Sequence, residues 1–339
     1  MKSAQIKDGK LRIEELPIPS IASGDLLIEM KACGLCGSDI EKIRGQYDVS
    51  PIIGHEASGI VKEISADGTG IEKGDRVFPH HHVSCKSCHF CRTGSDTMCK
   101  SYREFHFDPG GFSEFFRVPQ WNVKQGGILK LPANMSFDQA SFIEPTGCCI
   151  RALRRSGIAK DDSLFVVGAG PIGLTVVQLA PLFGITKVAV SDINPKRLEF
   201  AKRCGASVTI DPTDDSISAA IMKGTKGIGV DCAIIASGNP SAVRQGLESI
   251  RRGGKVILLG IPPLGSSLDY GVERLVNNEV TMISTNAAND EEVRLALDFI
   301  SKGQIDVDSM ITHKFSIENI DVALEKIAEG DVIKSIIVP

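Results

Sequence analysis

The stretch of sequence that decides the fold runs from residue 163 to residue 173 and reads SLFVVGAGPIG. An apolar run, Leu164–Val167, leads into Gly168, Gly170 and Gly173, and a helical pattern follows. In this setting the three glycines allow a tight turn, close approach of the backbone to a pyrophosphate, and close packing of helix on strand. The stretch therefore predicts a dinucleotide-binding turn that opens a parallel sheet.

The residues after this turn repeat the same alternation. Apolar, β-branched runs alternate with helical periods as far as residue 259, which is typical of a doubly wound parallel sheet. The predicted strands are Leu164–Val167, Lys187–Val190, Ser207–Ile210, Asp231–Ile235 and Lys255–Leu259, and the predicted helices are Pro171–Phe183, Lys196–Cys204 and Ser241–Ile250. Residues 1–145 instead show short β-type runs broken by Gly, Pro and Asp, which predicts an antiparallel, loop-rich domain.

Asp192 ends the second predicted strand of the parallel sheet. A carboxylate there accepts hydrogen bonds from ribose hydroxyls and repels a 2′-phosphate, so it favours NAD over NADP. The neighbouring basic residues Lys196 and Arg197 would tolerate a 2′-phosphate and therefore favour NADP. An Asx turn that opens the next helix is an alternative role for Asp192, and the two roles are compatible.

Four cysteines, Cys85, Cys88, Cys91 and Cys99, follow one another in C-x2-C-x2-C-x7-C spacing. Two-residue spacers let thiolates converge on one ion, and four sulfurs complete a tetrahedral zinc site that has no open position. The spacing therefore predicts a structural zinc. An iron–sulfur cluster and a set of unrelated cysteines are the alternatives. The adjacent run His80–His82 is expected to be solvated.

Cys36 and His55 are candidates for a second metal site. Spacing alone favours a packed cysteine and a surface histidine, but Gly34 and Gly37, which flank Cys36, allow the backbone to come close to a metal. Asp39 is placed to receive a ring N–H of His55, which is the usual way to orient a metal-binding imidazole.

Two glutamates are candidate ligands of the same metal. Glu56 follows His55 directly. Glu144 lies among Phe142, Ile143 and Pro145, where an acidic side chain is rarely buried without a partner. A thiolate, an imidazole and a carboxylate together suit zinc and leave a position for an exchangeable ligand.

The composition is that of a globular protein. The chain has 339 residues, 42% of them hydrophobic and 24% charged, with a net charge of −4. This charge argues against nucleic acid or an anionic membrane as a partner, and no apolar run approaches the roughly 18 residues of a membrane span. The N-terminus has no apolar signal region, so a cytoplasmic protein with reduced cysteines is expected.

Taken in order, these motifs resemble the zinc-containing medium-chain dehydrogenase family, especially its polyol and threonine dehydrogenase branches. Residues 110–115, which read GGFSEF, extend the resemblance over essentially the whole chain. It implies an α/β protein with a GroES-like, mainly β catalytic domain at residues 1–150, completed by residues 288–339. A Rossmann NAD-binding domain, a doubly wound parallel sheet, would occupy residues 151–287.

The resemblance also implies roles for single residues. Cys36 and His55, with Glu56, Glu144 or both in exchange, would hold a catalytic zinc, and Ser38 would relay the proton. Many relatives have His where this chain has Glu41, so the outer relay would use that carboxylate or solvent. The implied cofactor-binding residues are Gly168, Gly170, Pro171, Ile172, Gly173, Asp192, Arg197, Leu259, Gly260, Ile261, Ser284 and Asn286.

The predicted function is the reversible oxidation of a secondary alcohol, in a polyol, sugar or similar small compound. Two zinc ions per chain, NAD and a homodimer or homotetramer are implied by the resemblance. Alternatives are a threonine-type amino-alcohol dehydrogenase, an NADP-linked sugar dehydrogenase, a zinc-free reductase, an NAD-using lyase or epimerase, and a non-enzymatic zinc-ribbon module. Substrate selectivity is expected near Glu41, Tyr47, Phe105 and Asn286.

Overall fold

Backbone contacts divide the chain into two units. The computed structural model describes residues 1–46, 52–65, 69–213 and 216–339. The first unit consists of Met1–Gly147 with Ala287–Pro339, and the second is Cys148–Asn286. The boundaries proposed from the sequence lie within a few residues of these positions.

The first unit is built mainly from β-strands and short helices. Its first part contains β1 (Lys2–Lys7), β2 (Lys10–Glu15), β3 (Leu26–Gly34), α1 (Gly37–Ile43), β4 (Glu56–Ile64), β5 (Arg76–Pro79), α2 (His89–Arg92), β6 (Phe115–Val118), α3 (Gln120–Lys124), β7 (Ile128–Lys130), α4 (Phe137–Ala140) and the first turn of α5 (Ile143–Ser156).

The second unit alternates strands with helices. After the rest of α5 it contains β8 (Ser163–Val167), α6 (Pro171–Leu179), β9 (Lys187–Ser191), α7 (Pro195–Arg203), β10 (Val208–Ile210), α8 (Ile217–Gly224), β11 (Val230–Ile235), α9 (Pro240–Ser249), β12 (Ile250–Leu258), α10 (Val272–Asn277) and β13 (Thr281–Ser284). The chain then returns to the first unit with α11 (Asp290–Ser301), β14 (Ile311–Ser316), α12 (Ile320–Ala328) and β15 (Lys334–Val338).

A seven-stranded sheet organises the first unit. Its order is β14-β15-β3-β4-β5-β7, and β6 also pairs with β3. The antiparallel register of β3 and β4 sets Gly34 opposite Glu56, and β15 pairs with β3 through Ile336 opposite Gly34. The residues just outside these pairs, Cys36 and His55, therefore lie at the same end of the sheet.

Large apolar side chains fill the interior of this unit. Ile28, Met30, Phe112 and Phe116 are fully buried within one cluster. Burying one such side chain contributes about 1.5–3 kcal/mol to stability. This core holds the ends of β3 and β4 in a fixed position, so the loops that follow them start from a rigid base.

A six-stranded parallel sheet organises the second unit, in the order β10-β9-β8-β11-β12-β13. The strand order reverses between β8 and β11. In open parallel sheets ligands bind at such a reversal, beyond the carboxyl ends of the strands. The doubly wound sheet predicted from the sequence is confirmed.

Several details of the secondary structure differ from prediction, and helices α8 and α10 are two that were not predicted. The helix expected over Pro171–Phe183 is α-helical only to Leu179 and continues as a 3-10 turn, because Pro181 has no N–H for the helical hydrogen bond. The helix α5 was not predicted, since Pro145 reads as a breaker, but proline is tolerated in a first turn. Strand β12 begins at Ile250, earlier than expected.

Among the described helices, none is long and apolar enough to cross a membrane.

Candidate active site

The three predicted metal ligands meet at the end of the β3–β4 pair. One ligand atom from each of Cys36, His55 and Glu56 lies within 4.8 Å of the others. Cys36 is the N-cap of α1, and Ser38 Oγ donates to its sulfur at 3.3 Å. The structure thus places the proposed relay hydroxyl directly beside a candidate metal ligand.

Asp39 holds both strand ends at this site. Its Oδ2 accepts from the backbone N–H of Cys36 at 3.3 Å, and its Oδ1 accepts from the N–H of Gly54 at 3.1 Å. Oδ1 also lies 3.2 Å from His55 Nδ1, which is the contact predicted from the sequence. Burial alone raises the pKa of Asp39, but His55 and Lys42 outweigh it and lower the pKa below its ordinary value.

This carboxylate determines the tautomer of His55. An ionised Asp39 can only accept, so Nδ1 of His55 carries the proton and Nε2 is left to bind a metal. Burial disfavours a charged ring, yet Asp39 and Cys36 raise the pKa of His55 well above its usual value. The surroundings of the ring therefore stabilise positive charge.

Glu56 is buried and paired with a buried lysine. Its Oε2 accepts from Lys334 Nζ, and a Cβ at Gly34 would overlap that oxygen. Burial raises the pKa of Glu56, Lys334 opposes this rise, and Glu144 adds to it. The role of Lys334 was not predicted, because it lies far from Glu56 in the sequence and only the β15–β3 pairing brings them together.

The site fits a zinc ion. The second oxygen of Glu56, Oε1, is buried and has no hydrogen-bond partner in the described part of the chain. A thiolate, an imidazole nitrogen and a carboxylate oxygen are the ligands that zinc takes in catalytic sites. A divalent cation would bind the unpaired Glu56 oxygen, and it would balance the negative charge of the three candidate ligands.

Glu144 and Glu41 take positions outside this ligand group. Glu144 lies buried in the first turn of α5, and its negative charge acts on Glu56, but it is not one of the converging ligands. Glu41 Oε1 lies 3.3 Å from Arg44 Nη1 on the exposed side of α1.

The four cysteines also converge. Their sulfurs all lie within 4.8 Å of one another, with Cys88 Sγ 3.5 Å from Cys91 Sγ. Backbone N–H groups point at the sulfurs, including that of Cys85, which donates to Cys99 Sγ at 3.4 Å. Hydrogen bonds from Ser87 and Cys88 lower the pKa of Cys85 to about 6. This arrangement fits a closed tetrathiolate zinc site.

Residues 85–99, which we call the four-cysteine lobe, are fastened to the segment that enters α11. Lys86 Nζ lies 2.7 Å from Asp290 Oδ2, and Asn289 Nδ2 donates to Asp96 Oδ2 at 3.0 Å. Asp290 Oδ1 in turn lies 3.6 Å from Nδ1 of His80.

The expectation that the run His80–His82 is solvated is wrong. His80 is 1% and His81 7% exposed, and the rings pack on one another and on Tyr102. Sequence reasoning failed here because β5 carries the run into the interior of the first unit. Burial lowers the pKa of His81 and of His82 well below the usual value, and neighbouring histidines add to the effect.

Phe105, expected to bear on selectivity, lies on a surface cavity of the first unit. Its ring stacks on Trp121 with centroids 4.9 Å apart, and both line a cavity of about 900 Å³ together with His106. Tyr47, also singled out from the sequence, lies outside the described residues.

In the second unit, the glycine turn joins β8 to α6 as predicted. Gly168 has φ +102°, and a Cβ at Gly173 would overlap the Gly168 carbonyl oxygen. A Cβ at Gly170 would meet nothing within 4 Å. Gly170 is the N-cap of α6 and Pro171 follows in the first turn, ahead of Ile172. The backbone conformation thus favours glycine at position 168 and packing requires it at position 173, while the space at Gly170 is open for a ligand.

Asp192 is tied to this turn. Its Oδ2 accepts from the N–H of Ala169 at 2.7 Å, and its Oδ1 accepts from the N–H of Asn194 at 2.8 Å. The Asx turn considered from the sequence is therefore present, and it fixes the carboxylate against the glycine turn. Arg197 lies in the first turn of α7.

The remaining predicted cofactor residues lie at the same carboxyl edge of the sheet. Leu259 and Gly260 follow β12 and donate their N–H groups to the carbonyl of Ile235. Ile261 comes next, Ser284 ends β13, and Asn286 closes the unit. Thr285 lies within the predicted stretch Ser284–Asn286, and its buried Oγ1 has no partner among the described residues.

Two family models match the chain. Residues 22–132 match the alcohol dehydrogenase GroES-like domain, and residues 171–302 match the zinc-binding dehydrogenase model. These matches confirm the fold class expected from the motifs.

Named relatives and solved structures agree with these models. The chain is 30% identical over 338 residues to the sorbitol dehydrogenase of Bacillus subtilis (strain 168), covering 96% of this chain and 93% of that protein. It is 30% identical over 334 residues to the L-threonine 3-dehydrogenase of Bacillus velezensis, covering 96% and 95%. A zinc-binding dehydrogenase of Sinorhizobium meliloti 1021, solved bound to NADP, matches with a TM-score of 0.90 at 29% identity, over 100% of this chain and 99% of that chain. The chain therefore belongs to the zinc-containing medium-chain alcohol dehydrogenase family, whose members act on CH–OH groups with NAD(P).

Proposed function

We propose that this enzyme reversibly oxidises a secondary hydroxyl of a small polyol, sugar or similar hydroxy compound with NAD. The observation that carries the proposal is the convergence of Cys36, His55 and Glu56 within 4.8 Å, with one buried glutamate oxygen left without a partner among the described residues. Three protein ligands leave a coordination position for a substrate, whereas four cysteines leave none.

The residues around the metal position have separate roles in this proposal. When bound, zinc supplies a Lewis acid that lowers the pKa of an alcohol hydroxyl. Asp39 holds His55 in the tautomer that binds through Nε2. Ser38 passes the proton outward at Oγ, and since Glu41 is engaged with Arg44, solvent takes it from there.

The second unit supplies the cofactor site. When bound, NAD supplies the hydride acceptor. Open space at Gly170 and the N-terminus of α6 suit a pyrophosphate, because unpaired N–H groups and the helix dipole favour anions there. The fixed Asp192 carboxylate favours ribose hydroxyls over a 2′-phosphate, although Lys196 and Arg197 lie nearby. Leu259–Ile261 and Ser284–Asn286 are the residues proposed for the nicotinamide end.

A substrate panel with a metal count tests the proposal. Zinc-loaded protein is assayed with polyols, sugars, L-threonine and simple alcohols, each with NAD and with NADP. We expect NADH production from a polyol or sugar, a higher kcat/KM with NAD, and about two zinc ions per chain. L-Threonine as the best substrate would establish the amino-alcohol alternative, which the equal identity to the threonine relative supports. Active protein with a single zinc in the four-cysteine lobe would contradict the proposal.

The proposal also includes a location and an oligomeric state. The ten cysteines are free thiols, and two thiolate-containing metal sets require reduced cysteines, so we propose a cytoplasmic location. We propose a homodimer or homotetramer, which sedimentation of the zinc-loaded protein would distinguish from a monomer.

A further inference from the structure

The segment that leaves the second unit follows directly on residues proposed for the nicotinamide end of the cofactor. Asn286 ends the second unit, and Ala287 begins the returning part of the first. The N–H of Thr285 donates to the Leu258 carbonyl at 3.0 Å, which holds the proposed stretch Ser284–Asn286 onto the sheet. Because consecutive Cα atoms are only about 3.8 Å apart, the position of Asn286 also depends on where the residues after it are held.

Ala288 is held by a buried tyrosine. Its carbonyl accepts from Tyr102 Oη, and the two residues are 0% and 1% exposed. Ala288 also packs closely against Gly147, where a Cβ would lie 3.0 Å from the Ala288 Cβ. Tyr102 is fixed in turn, since its N–H donates to the Cys99 carbonyl at 3.0 Å and its ring packs on that of His82 with centroids 5.0 Å apart. The anchor of Ala288 therefore belongs to the segment that directly follows the four-cysteine lobe.

The next two residues extend this anchor. Asn289 donates to Asp96, and Asp290 pairs with Lys86, so both are attached to the four-cysteine lobe. Asn289 is also the N-cap of α11, and the pair of Asp290 involves two charges. The Tyr102 hydroxyl is thus the one of these contacts that can be removed without disturbing a helix cap or an ion pair.

Ala287, between the two held residues, has a strained backbone. Its φ is +58°, in the left-handed region. For an L residue this conformation brings Cβ close to the following carbonyl oxygen, and it persists where the surrounding structure imposes it. Alanine has no polar side-chain atom that could stabilise the conformation by a local hydrogen bond. The hydrogen bonds of Thr285 on one side and Ala288 on the other are therefore the contacts that impose it.

We infer that Tyr102 is a positioning residue for the cofactor: its hydroxyl holds Ala288, keeps Ala287 left-handed and so sets Asn286 for the nicotinamide end. This inference rests on the proposed function and deepens it, because it gives the segment after the four-cysteine lobe a role in cofactor binding. Without the hydroxyl, Ala287 relaxes to negative φ and Asn286 is displaced. The turn Gly168–Gly173, proposed for the pyrophosphate, is unaffected.

The test compares NADH with ADP-ribose, which has the adenosine, the pyrophosphate and the second ribose but no nicotinamide. Zinc-loaded protein is titrated with each nucleotide by calorimetry. Tyr102→Phe should weaken the binding of NADH about tenfold, which corresponds to about 1.4 kcal/mol, the order of the strain in one left-handed residue. The Kd of ADP-ribose should stay within about twofold of wild type, since the lost contact acts on the nicotinamide end.

Two further variants separate positioning from general stability. Ser58→Ala is the matched control, because Ser58 is buried and its Oγ also donates to a carbonyl, that of Phe137 at 2.8 Å. Thermal denaturation should show that Tyr102→Phe and Ser58→Ala both lose stability, whereas Ser58→Ala keeps the wild-type Kd for NADH. Ala287→Gly combined with Tyr102→Phe should recover most of the lost affinity, because glycine adopts positive φ without strain.

The outcomes distinguish this inference from the proposed function. Equal weakening of NADH and ADP-ribose in Tyr102→Phe, or no weakening of either, would overturn the inference and leave the proposed function intact. A selective loss that Ala287→Gly does not recover would overturn the role given to Ala287. Wild-type protein that binds neither nucleotide would overturn the proposed function and this inference with it.

Discussion

The first unit carries two metal-ligand sets of opposite construction. The four-cysteine set comes from a single surface loop, and its sulfurs contact mainly one another and backbone N–H groups. The Cys36 set joins the ends of two strands, and the charged side chains of Asp39 and Lys334 are buried around it. The first set can only hold an ion, whereas the second keeps its ligands oriented while a position stays open. Buried supporting charges, more than the number of ligands, distinguish the set that we propose to be catalytic.

The largest effect on activity is expected when one ligand is removed from the Cys36 set. Cys36→Ser should lower kcat/KM at least about a thousandfold and reduce zinc from about two to about one per chain. Binding of NADH, measured by fluorescence, should persist because the cofactor residues lie in the second unit. Cys204→Ser, at the end of α7, is the control and should retain activity. Substantial turnover in Cys36→Ser would contradict the catalytic assignment.

The next largest effect is expected from the buried ion pair. Lys334→Met leaves the Glu56 carboxylate buried without its partner, so the free energy of unfolding should fall by about 3–5 kcal/mol. Lys326→Met is the control, because Lys326 pairs with Glu329 on the surface, where such a pair contributes below about 1 kcal/mol. Urea denaturation of the zinc-loaded proteins measures both. Similar losses in the two variants would show that Lys334 has no special role.

The four-cysteine set should respond in stability and hardly in turnover. Cys88→Ser removes a ligand from the closed site, so the lobe metal should be lost and the free energy of unfolding should fall by more than the roughly 1 kcal/mol of a surface contact. The kcat of the folded protein should stay within about threefold of wild type, since the site offers no open position. Denaturation, zinc content and kcat are measured together. A fall in kcat like that of Cys36→Ser would erase the distinction between the two sets.

The smallest effect is expected where the lobe is fastened. Asp290→Asn removes the ion pair with the half-exposed Lys86 and should cost below about 1 kcal/mol of unfolding free energy. Burial raises the pKa of Asp290, but His80 and Lys86 lower it below its ordinary value of 3.8. The contribution is therefore complete above pH 3.8 and is lost as pH falls through the lower folded-state pKa. The stability difference between wild type and variant should therefore stay constant above about pH 5 and shrink as the pH falls below 3.8, and a difference that does not shrink there would contradict this origin.

Motifs made of residues close in sequence were predictable from sequence. The glycine turn, the four cysteines and the strand–helix alternation depend on spacing over a few residues, and the backbone turns them directly into local geometry. Asp39 was also predictable as the partner of His55, because a carboxylate on the first turn after Cys36 has few other uses beside an imidazole.

Features that depend on sheet pairing were not predictable in this way. The charged partner of Glu56 comes from β15 at the far end of the chain, and the histidine run was assigned to solvent because its neighbours are polar. Helix α5 was missed because Pro145 signals a break when its position in the first turn is unknown.

The sequence by itself determined the two sets of candidate metal ligands, the cofactor turn and the order of the two units. Each of these depends on residues that are near neighbours along the chain. Only the tertiary structure decided which side chains surround the Cys36 set. Strand pairing brings Lys334 to Glu56, and β5 carries His81 to His55, across separations over which residue spacing conveys no information. Burial then gives these contacts their strength, since charges and ring nitrogens removed from water must find partners within the protein or in what it binds.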